Sequence, residues 1–203
     1  MVINSKSLLN CPVLSLHIEG ETARTNSIIV DPDNLKIMAF GVSGPLTGRD
    51  GTGDILMTSS VRELNLRVGM IINSADEFVS RGEVVKLDKV LDLNFSLIGL
   101  NVVTKKGTKL GKVIDFTVSE DFTVLQLIVK RPLMKALMDP ELVISRKEIV
   151  AVDDYTVTVR DEEAKLMKQA VSPDDFVPNF VNPFREGNLE PSHKETLDAK
   201  DTE

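Results

Sequence analysis

KKGTKLGKVIDFTVSEDFTVLQLIV, residues 105–129, decides the fold of this chain. Two glycines, Gly107 and Gly111, precede the runs KVIDFTV and VLQLIV, which are rich in valine, isoleucine, threonine and leucine. Residues of these types favour β-strands, and the polar stretch Ser119-Glu120-Asp121 between the runs favours a turn. The stretch therefore predicts two strands joined by a turn, preceded by a tight turn in which Gly107 can take a positive φ.

The same two glycines invite comparison with a phosphate-binding loop. A P-loop has four residues between its glycines and a serine or threonine directly after its lysine. Here three residues separate Gly107 from Gly111, and Val113 follows Lys112. The second glycine also opens a predicted strand, and not a helix whose N-terminus could hold phosphate. We therefore predict that Gly107 and Gly111 are structural turn residues and that no cofactor binds there.

A similar order of predicted strands occurs twice along the chain. Gly20 precedes Gly107 by 87 residues, and Ser59 precedes Ser145 by 86. A repeat of this length indicates two copies of one domain, and many short strands with close turns favour small barrels. The first predicted strand of the first copy covers residues 13–18. The predicted fold class is mainly β, with two small β-barrels in tandem that each have a separate core.

The predicted domain boundaries follow from this repeat. The first barrel covers residues 5–74 and the second covers residues 97–160, with a connector at 75–96. Apolar residues recur at helical spacing within the connector and predict an amphipathic helix over 83–93. Further short helices are predicted at 161–171, where acidic residues precede lysines, and inside the second barrel around 132–138.

The remaining residues, 172–203, form a predicted acidic and partly disordered tail. They hold eight acidic and three basic side chains, so they carry −5 of the net charge of −7. Yet Phe176, Phe180 and Phe184 are three of only eight phenylalanines in the chain. Pro178 and Pro183 oppose a helix there, whereas an extended chain puts residues of even spacing on one side. We predict that residues 174–184 lie extended and dock these phenylalanines on the barrels or on a partner.

Composition bounds the location of the protein. Hydrophobic residues make up 42% and charged residues 27%, the balance of a soluble globular protein. No apolar run approaches the 18 residues of a membrane span. A single cysteine, Cys11, excludes an internal disulfide and fits a reducing compartment. The predicted location is the cytoplasm.

No residues suggest a catalytic, cofactor or metal site. Cys11, His17 and His193 do not have metal-ligand spacing, and His17 lies in a predicted apolar strand. No serine is part of a nucleophile elbow. Lys105, Lys106 and Lys109, with the neighbouring Lys112, form a basic cluster that we consider a candidate interaction site. Because no aromatic residue is interleaved with these lysines, a solvated turn is more typical of them than an RNA-binding platform.

The central stretch resembles a known family. Residues 97–129, closed by residues 141–159, are similar to a PRC-barrel domain. The matching residues are Leu97-Ile98-Gly99, Gly107, Leu110-Gly111, Val113, Asp115 and Ile149. This family is named after the cytoplasmic barrel of the photosynthetic reaction centre, and it forms the C-terminal half of the ribosome maturation factor RimM. Residues 1–72 match more loosely, since Ala23 and Arg24 replace the Leu-Gly pair. Over the whole chain, the resemblance is to bacterial proteins with two tandem PRC-barrels.

The resemblance implies a function without catalysis. We expect an adaptor that binds another macromolecule, most simply a protein that the sequence does not identify. The alternative is a RimM-like factor in ribosome assembly or RNA processing, which would act through the second barrel and bind a ribosomal protein. The glycine- and histidine-containing signature of the RimM N-terminal domain is missing here, and no segment is basic enough to attract nucleic acid by its field alone. An enzyme with an unfamiliar site is a third reading.

Overall fold

The computed structural model describes residues 1–48, 53–132 and 140–161. Within these residues the chain forms two seven-stranded sheets and one α-helix, so it is mainly β, as predicted. The helices predicted around 132–138 and over 161–171 lie, except for their first residues, outside the described range. The tail, residues 172–203, also lies outside it.

The first half of the chain contains eight strands, of which the first has only two residues. They are β1 (Ile3–Asn4), β2 (Pro12–Ser15), β3 (Gly20–Asp31), β4 (Lys36–Ser43), β5 (Ile55–Met57), β6 (Glu63–Asn65), β7 (Gly69–Ile72) and β8 (Phe78–Val79). Helix α1 (Val85–Asp92) follows, close to the predicted 83–93. The second half contains β9 (Asn101–Thr104), β10 (Lys109–Val118), β11 (Val124–Lys130), β12 (Glu141–Ser145), β13 (Ile149–Val152) and β14 (Thr156–Val159).

The two sheets share one strand order. The first sheet runs β5-β4-β3-β2-β7-β6, with β8 added beside β5, and the second runs β12-β11-β10-β9-β14-β13. In each sheet one parallel pair, β2 with β7 or β9 with β14, joins strands that are otherwise antiparallel. Strands β2 to β7 of the first sheet therefore match strands β9 to β14 of the second, both in chain order and in the strands with which they pair.

The first predicted strand of the first sheet is shorter than expected. It ends at Ser15, and the following residues form a turn in which Glu19 has a φ of 52°. The backbone N–H of His17 donates to the Asn73 carbonyl at 2.9 Å, and its side chain is exposed. The prediction that His17 lies in an apolar strand is therefore wrong, because the chain leaves the sheet two residues earlier in order to reverse into β3.

The N-terminal strand belongs to the second sheet, although it precedes the first in sequence. Strand β1 pairs with β10 in the register Ile3 to Val118 and Asn4 to Thr117. Ile3 is buried, and the short 3-10 turn Ser5–Leu8 then carries the chain back to the first sheet. The first barrel was predicted to begin at residue 5, so strand β1 was not predicted.

The buried apolar side chains of both sheets form one continuous cluster. It includes Val13 and Phe40 of the first sheet together with Phe116 and Val157 of the second. The two separate cores that the sequence predicted are therefore joined in one. Helix α1 buries Leu87 in a smaller cluster, against Ala39 and Ile55 of the first sheet.

A buried aspartate holds the N-terminal segment on the second sheet. Asp115, in β10, is only 2% exposed. It accepts a hydrogen bond from Ser5 Oγ at 2.5 Å and another from the backbone N–H of Phe116 at 2.8 Å. Lys6 Nζ lies 3.3 Å from its second oxygen. Burial by itself would raise the pKa of Asp115, but these hydrogen bonds and the lysine charge outweigh it and lower the pKa.

We expect Ser5→Ala to destabilise the fold by about 1.5–3 kcal/mol at neutral pH, because a buried carboxylate loses a hydrogen bond to its charged form. The folded-state pKa of Asp115 lies below the unfolded value of about 3.9. Ionised Asp115 therefore stabilises the fold above that pH, and the contribution is lost as the pH falls through the folded-state pKa. Urea unfolding at pH 7 and pH 3 should show a smaller effect of the variant at pH 3.

The control for this prediction is Ser7→Ala, in the same 3-10 turn. Ser7 is exposed, so its replacement should change the free energy of unfolding by no more than about 0.5 kcal/mol. An equal effect of the two substitutions, or an effect of Ser5→Ala that does not decrease at pH 3, would contradict the role given to Asp115.

Candidate interaction surface

The two glycines of the central stretch have different geometries. Gly107 has a φ of +79° in the turn between β9 and β10, where its N–H donates to the Thr104 carbonyl at 2.8 Å. A Cβ there would meet no atom within 4 Å. Gly111 has a φ of +154°, and a Cβ built on it would lie 2.1 Å from the Lys130 carbonyl oxygen in β11. Gly111 thus permits two backbones to approach, and Gly107 permits a turn.

The lysines next to these glycines form an exposed ridge on the second sheet. Lys105 and Lys106 lie in the β9–β10 turn, and Lys109 opens β10. The register adds two more, because Lys112 of β10 lies directly opposite Lys130 of β11. All five side chains are exposed. We call these five residues the lysine ridge.

The charges of the lysine ridge are not paired within the described part of the chain. None of the five ammonium groups forms a salt bridge with a described carboxylate. Like charges that lie directly opposite each other across two strands are destabilising, and Lys112 and Lys130 have that arrangement. Glu141 of β12 lies opposite Lys130 on the other side. The ridge is therefore a local positive surface on a protein of net charge −7.

The two sheets meet through the tips of their corresponding hairpins. The β3–β4 turn and the β10–β11 turn form a short antiparallel bridge between Lys36 and Thr123. The N–H of Ile37 donates to the Phe122 carbonyl, and the N–H of Val124 donates to the Leu35 carbonyl, each at 2.9 Å. We call this contact the hairpin junction.

Side chains reinforce the hairpin junction on both sides of this bridge. The rings of Phe40 and Phe122 pack edge to face with centroids 5.6 Å apart. The Arg146 guanidinium of the second sheet donates to the Leu35 carbonyl at 3.1 Å and to the Asn34 carbonyl at 2.6 Å. Hydrogen bonds from Ser119 and Thr123 lower the pKa of Asp121 to about 2, and Lys36 Nζ lies 3.6 Å from this carboxylate.

The hairpin junction is symmetric in sequence as well as in space. Lys36 and Thr123 are 87 residues apart, as are Leu35 and Phe122, which is also the offset between Gly20 and Gly107. Leu35 and Phe122 both have left-handed backbones, with φ of 50° and 63°. Bulky side chains rarely adopt that conformation. Corresponding positions of the two sheets therefore adopt the same unusual conformation where they meet.

A cavity of about 250 Å³ lies between helix α1 and the first sheet. Its walls are mostly apolar and include Met38, Met57 and Val84. Two of its charged rim groups pair with each other, since Lys86 Nζ lies 3.4 Å from Asp31 Oδ2. Lys36 pairs with Asp121. All three charged groups at the rim are therefore paired within the protein.

The described residues contain no group of three or more histidine, cysteine, aspartate or glutamate side chains that could hold a metal ion. Cys11 is buried, and burial raises the pKa of its thiol, which disfavours the nucleophilic thiolate. No helix among these residues is long and apolar enough to cross a membrane. The candidate interaction residues Phe176, Phe180 and Phe184 lie outside the described range.

Sequence reasoning found three members of the lysine ridge, Lys105, Lys106 and Lys109, and also noted Lys112. It missed Lys130, which lies 18 residues from Lys112 in sequence and reaches the ridge only through the register of β10 with β11. The hairpin junction was also missed. Its signal was the 87-residue offset, which relates the two hairpin tips.

Comparison with known protein families found one match, and it covers the second half of the chain. Residues 94–165 match the model of one protein family, the PRC-barrel domain. No curated protein matches the chain. The matched residues contain strands β9 to β14, both structural glycines and the whole lysine ridge. Residues 94–165 are therefore similar to a PRC-barrel domain over about a third of the chain.

Proposed function

We propose that this protein is a non-enzymatic adaptor whose PRC-barrel domain binds a protein with an acidic surface. The observation that carries the proposal is the lysine ridge, five exposed lysines without a described carboxylate partner. A positive surface of this kind steers an acidic partner and sets its orientation. The single, buried cysteine suits work in the reducing cytoplasm.

The first sheet serves as a second PRC-like barrel in this proposal. Its strand order is that of the second sheet, and the 87-residue offset relates the two hairpin tips that touch. Since the two sheets share one core, they would present their surfaces in a fixed relation. A protein that binds two partners at once needs such a fixed relation, because simultaneous engagement depends on geometry.

The test is a charge reversal on the ridge. We expect Lys105→Glu/Lys109→Glu to lose the binding partner that the unchanged protein captures from its source cells. The control is Arg62→Glu/Arg67→Glu, which makes the same change in net charge at two exposed arginines of the first sheet. Binding by the unchanged protein should weaken as salt rises, because salt screens exposed charges. Equal capture by all three proteins would contradict the role of the ridge.

The second candidate function is ribosome assembly or RNA processing through the same domain. The lysine ridge also favours this candidate, because ribosomal particles carry dense negative charge on their phosphates. Salt-sensitive sedimentation of the protein with small ribosomal subunits, with ribosomal proteins captured in stoichiometric amounts, would support it over the adaptor proposal. Capture of a single acidic protein without ribosomal proteins would support the adaptor.

A further inference from the structure

The cavity between helix α1 and the first sheet has a mostly apolar wall. Three of its wall side chains, Met38, Met57 and Val84, are partly buried and pack against the smaller apolar cluster under helix α1. Water between such walls finds few hydrogen-bond partners, and an apolar group that displaces poorly ordered water gains affinity. The cavity is therefore better suited to an apolar ligand than to water.

The volume and the side chains of the cavity indicate what kind of apolar group fits. A closed apolar cavity of about 150 Å³ binds benzene, whereas this cavity has about 250 Å³. It therefore has room for one aromatic ring with a substituent. Met38 and Met57 add to this preference, because the flexible thioether of methionine makes favourable contacts with aromatic rings. Size and wall chemistry together favour a small aromatic ligand.

The charges at the rim of the cavity balance one another. Lys86 Nζ lies 3.4 Å from Asp31 Oδ2, and Lys36 Nζ lies 3.6 Å from Asp121 Oδ2. Asp31 is only 2% exposed, and its carboxylate also accepts a hydrogen bond from Asn34 Nδ2 at 2.9 Å. A charged ligand would leave water for a site in which lysines and aspartates already neutralise each other, and that transfer is unfavourable. The ligand is therefore expected to be neutral.

Ser59 supplies a polar group that can orient such a ligand. It belongs to the 3-10 turn Thr58–Ser60, lines the cavity and is exposed. Its hydroxyl can accept a hydrogen bond from an O–H or N–H group of the ligand. The hydroxyl of the neighbouring Thr58 instead donates to the Ile37 and Met38 carbonyls, at 3.2 and 3.0 Å. Mostly apolar walls with a few polar groups that fix orientation are typical of ligand sites.

We propose that this cavity binds a small neutral aromatic molecule that carries one hydrogen-bond donor. The ring lies between Met38, Met57 and Val84, and the donor faces the Ser59 hydroxyl. The site consists of residues of the first sheet and helix α1, whereas the lysine ridge belongs to the second sheet. Ligand binding here is therefore independent of the proposed adaptor function, and each can be tested without the other.

The test uses benzyl alcohol as the probe and the full chain with ¹³C-labelled methionine methyl groups. We expect benzyl alcohol to shift the methyl signals of Met38 and Met57 in NMR spectra, with saturation in the millimolar range. Met70 is the internal control, because it is fully buried in the main core cluster and its signal should not shift. Absence of shifts at Met38 and Met57, or shifts that grow without saturation, would overturn the proposal.

Analogues of benzyl alcohol test the chemical class of the ligand. Benzoate and benzylammonium, which are charged, should bind at least about tenfold more weakly. Ser59→Ala should weaken the binding of benzyl alcohol about two- to tenfold and leave that of toluene, which has no donor, unchanged. Tighter binding of either charged analogue would overturn the proposal. Tighter binding of N-acetylphenylalaninamide would also overturn it, because the cavity would then suit an aromatic side chain of a partner protein.

A matched pair of variants tests the position of the ligand. Val84→Phe puts a ring into the cavity and should abolish the shift that benzyl alcohol causes at Met57. The control is Val85→Phe, the same change at the next residue, which is 71% exposed and lies outside the cavity wall. It should bind benzyl alcohol like the unchanged protein. An unchanged Met70 signal shows that a variant is folded, and equal binding by two folded variants would overturn the proposal.

Discussion

Gly111→Ala is expected to destabilise the protein by about 3 kcal/mol or more. A Cβ at residue 111 would lie 2.1 Å from the Lys130 carbonyl oxygen and 2.9 Å from Val129 Cγ1. The first of these atoms belongs to the backbone of β11, so the contact is relieved only by separating two paired strands. The φ of +154° adds strain for any residue with a side chain. Urea unfolding followed by circular dichroism would measure the loss of stability.

The matched control is Gly107→Ala in the adjoining turn. Its φ is +79°, but no atom lies within 4 Å of the added Cβ. Only the backbone strain applies, and it amounts to about 1–2 kcal/mol. If both variants lost the same stability, the close approach of β10 to β11 would not be what requires glycine at residue 111. A shift of the melting temperature with added ATP or GTP would instead indicate that the protein binds a nucleotide, against the structural role given to these glycines.

The strands of this fold could be predicted because their signals are local. Alternating and β-branched residues identified β10 and β11, and polar turns separated them. The helix α1 was also visible in the spacing of apolar residues. The 87-residue offset indicated a repeat, and the two sheets have one strand order. Apart from the repeat, each of these features depends on residues near each other in the chain.

The features that were missed depend on contacts across the chain. Strand β1 has two residues, and nothing in Ile3–Asn4 indicates that it pairs with Val118 and Thr117. The backbones of Leu35 and Phe122 are left-handed, a conformation that sequence patterns assign to glycine or asparagine. Only the junction of two hairpins explains them. Local propensity contains no information on such a contact.

The candidate interaction surface was predictable in part for the same reason. Four lysines of the ridge, Lys105, Lys106, Lys109 and Lys112, are close in sequence, so their cluster could be recognised without a structure. Lys130 reaches Lys112 across two strands, which requires the register and its bulges.

Phe122→Ala is expected to lower the free energy of unfolding by about 3–5 kcal/mol, because it removes a large buried side chain from the hairpin junction. Phe122 is 6% exposed and packs edge to face with Phe40. Its φ of 63° is unfavourable for a bulky residue, and the packing must offset that strain. Because Phe122 and Phe40 belong to different sheets and to one core cluster, the loss should reach both sheets.

Native-state hydrogen exchange can test whether the two sheets lose stability together. In Phe122→Ala, the slowest amides of β3 and β10 should lose protection by the same free energy. The control is Tyr155→Ala, because Tyr155 is 76% exposed and its removal should change stability by no more than about 0.5 kcal/mol. If β10 lost protection while β3 kept it, the sheets would unfold separately. The hairpin junction would then be a contact between two independent domains, and the first sheet would fold without the second.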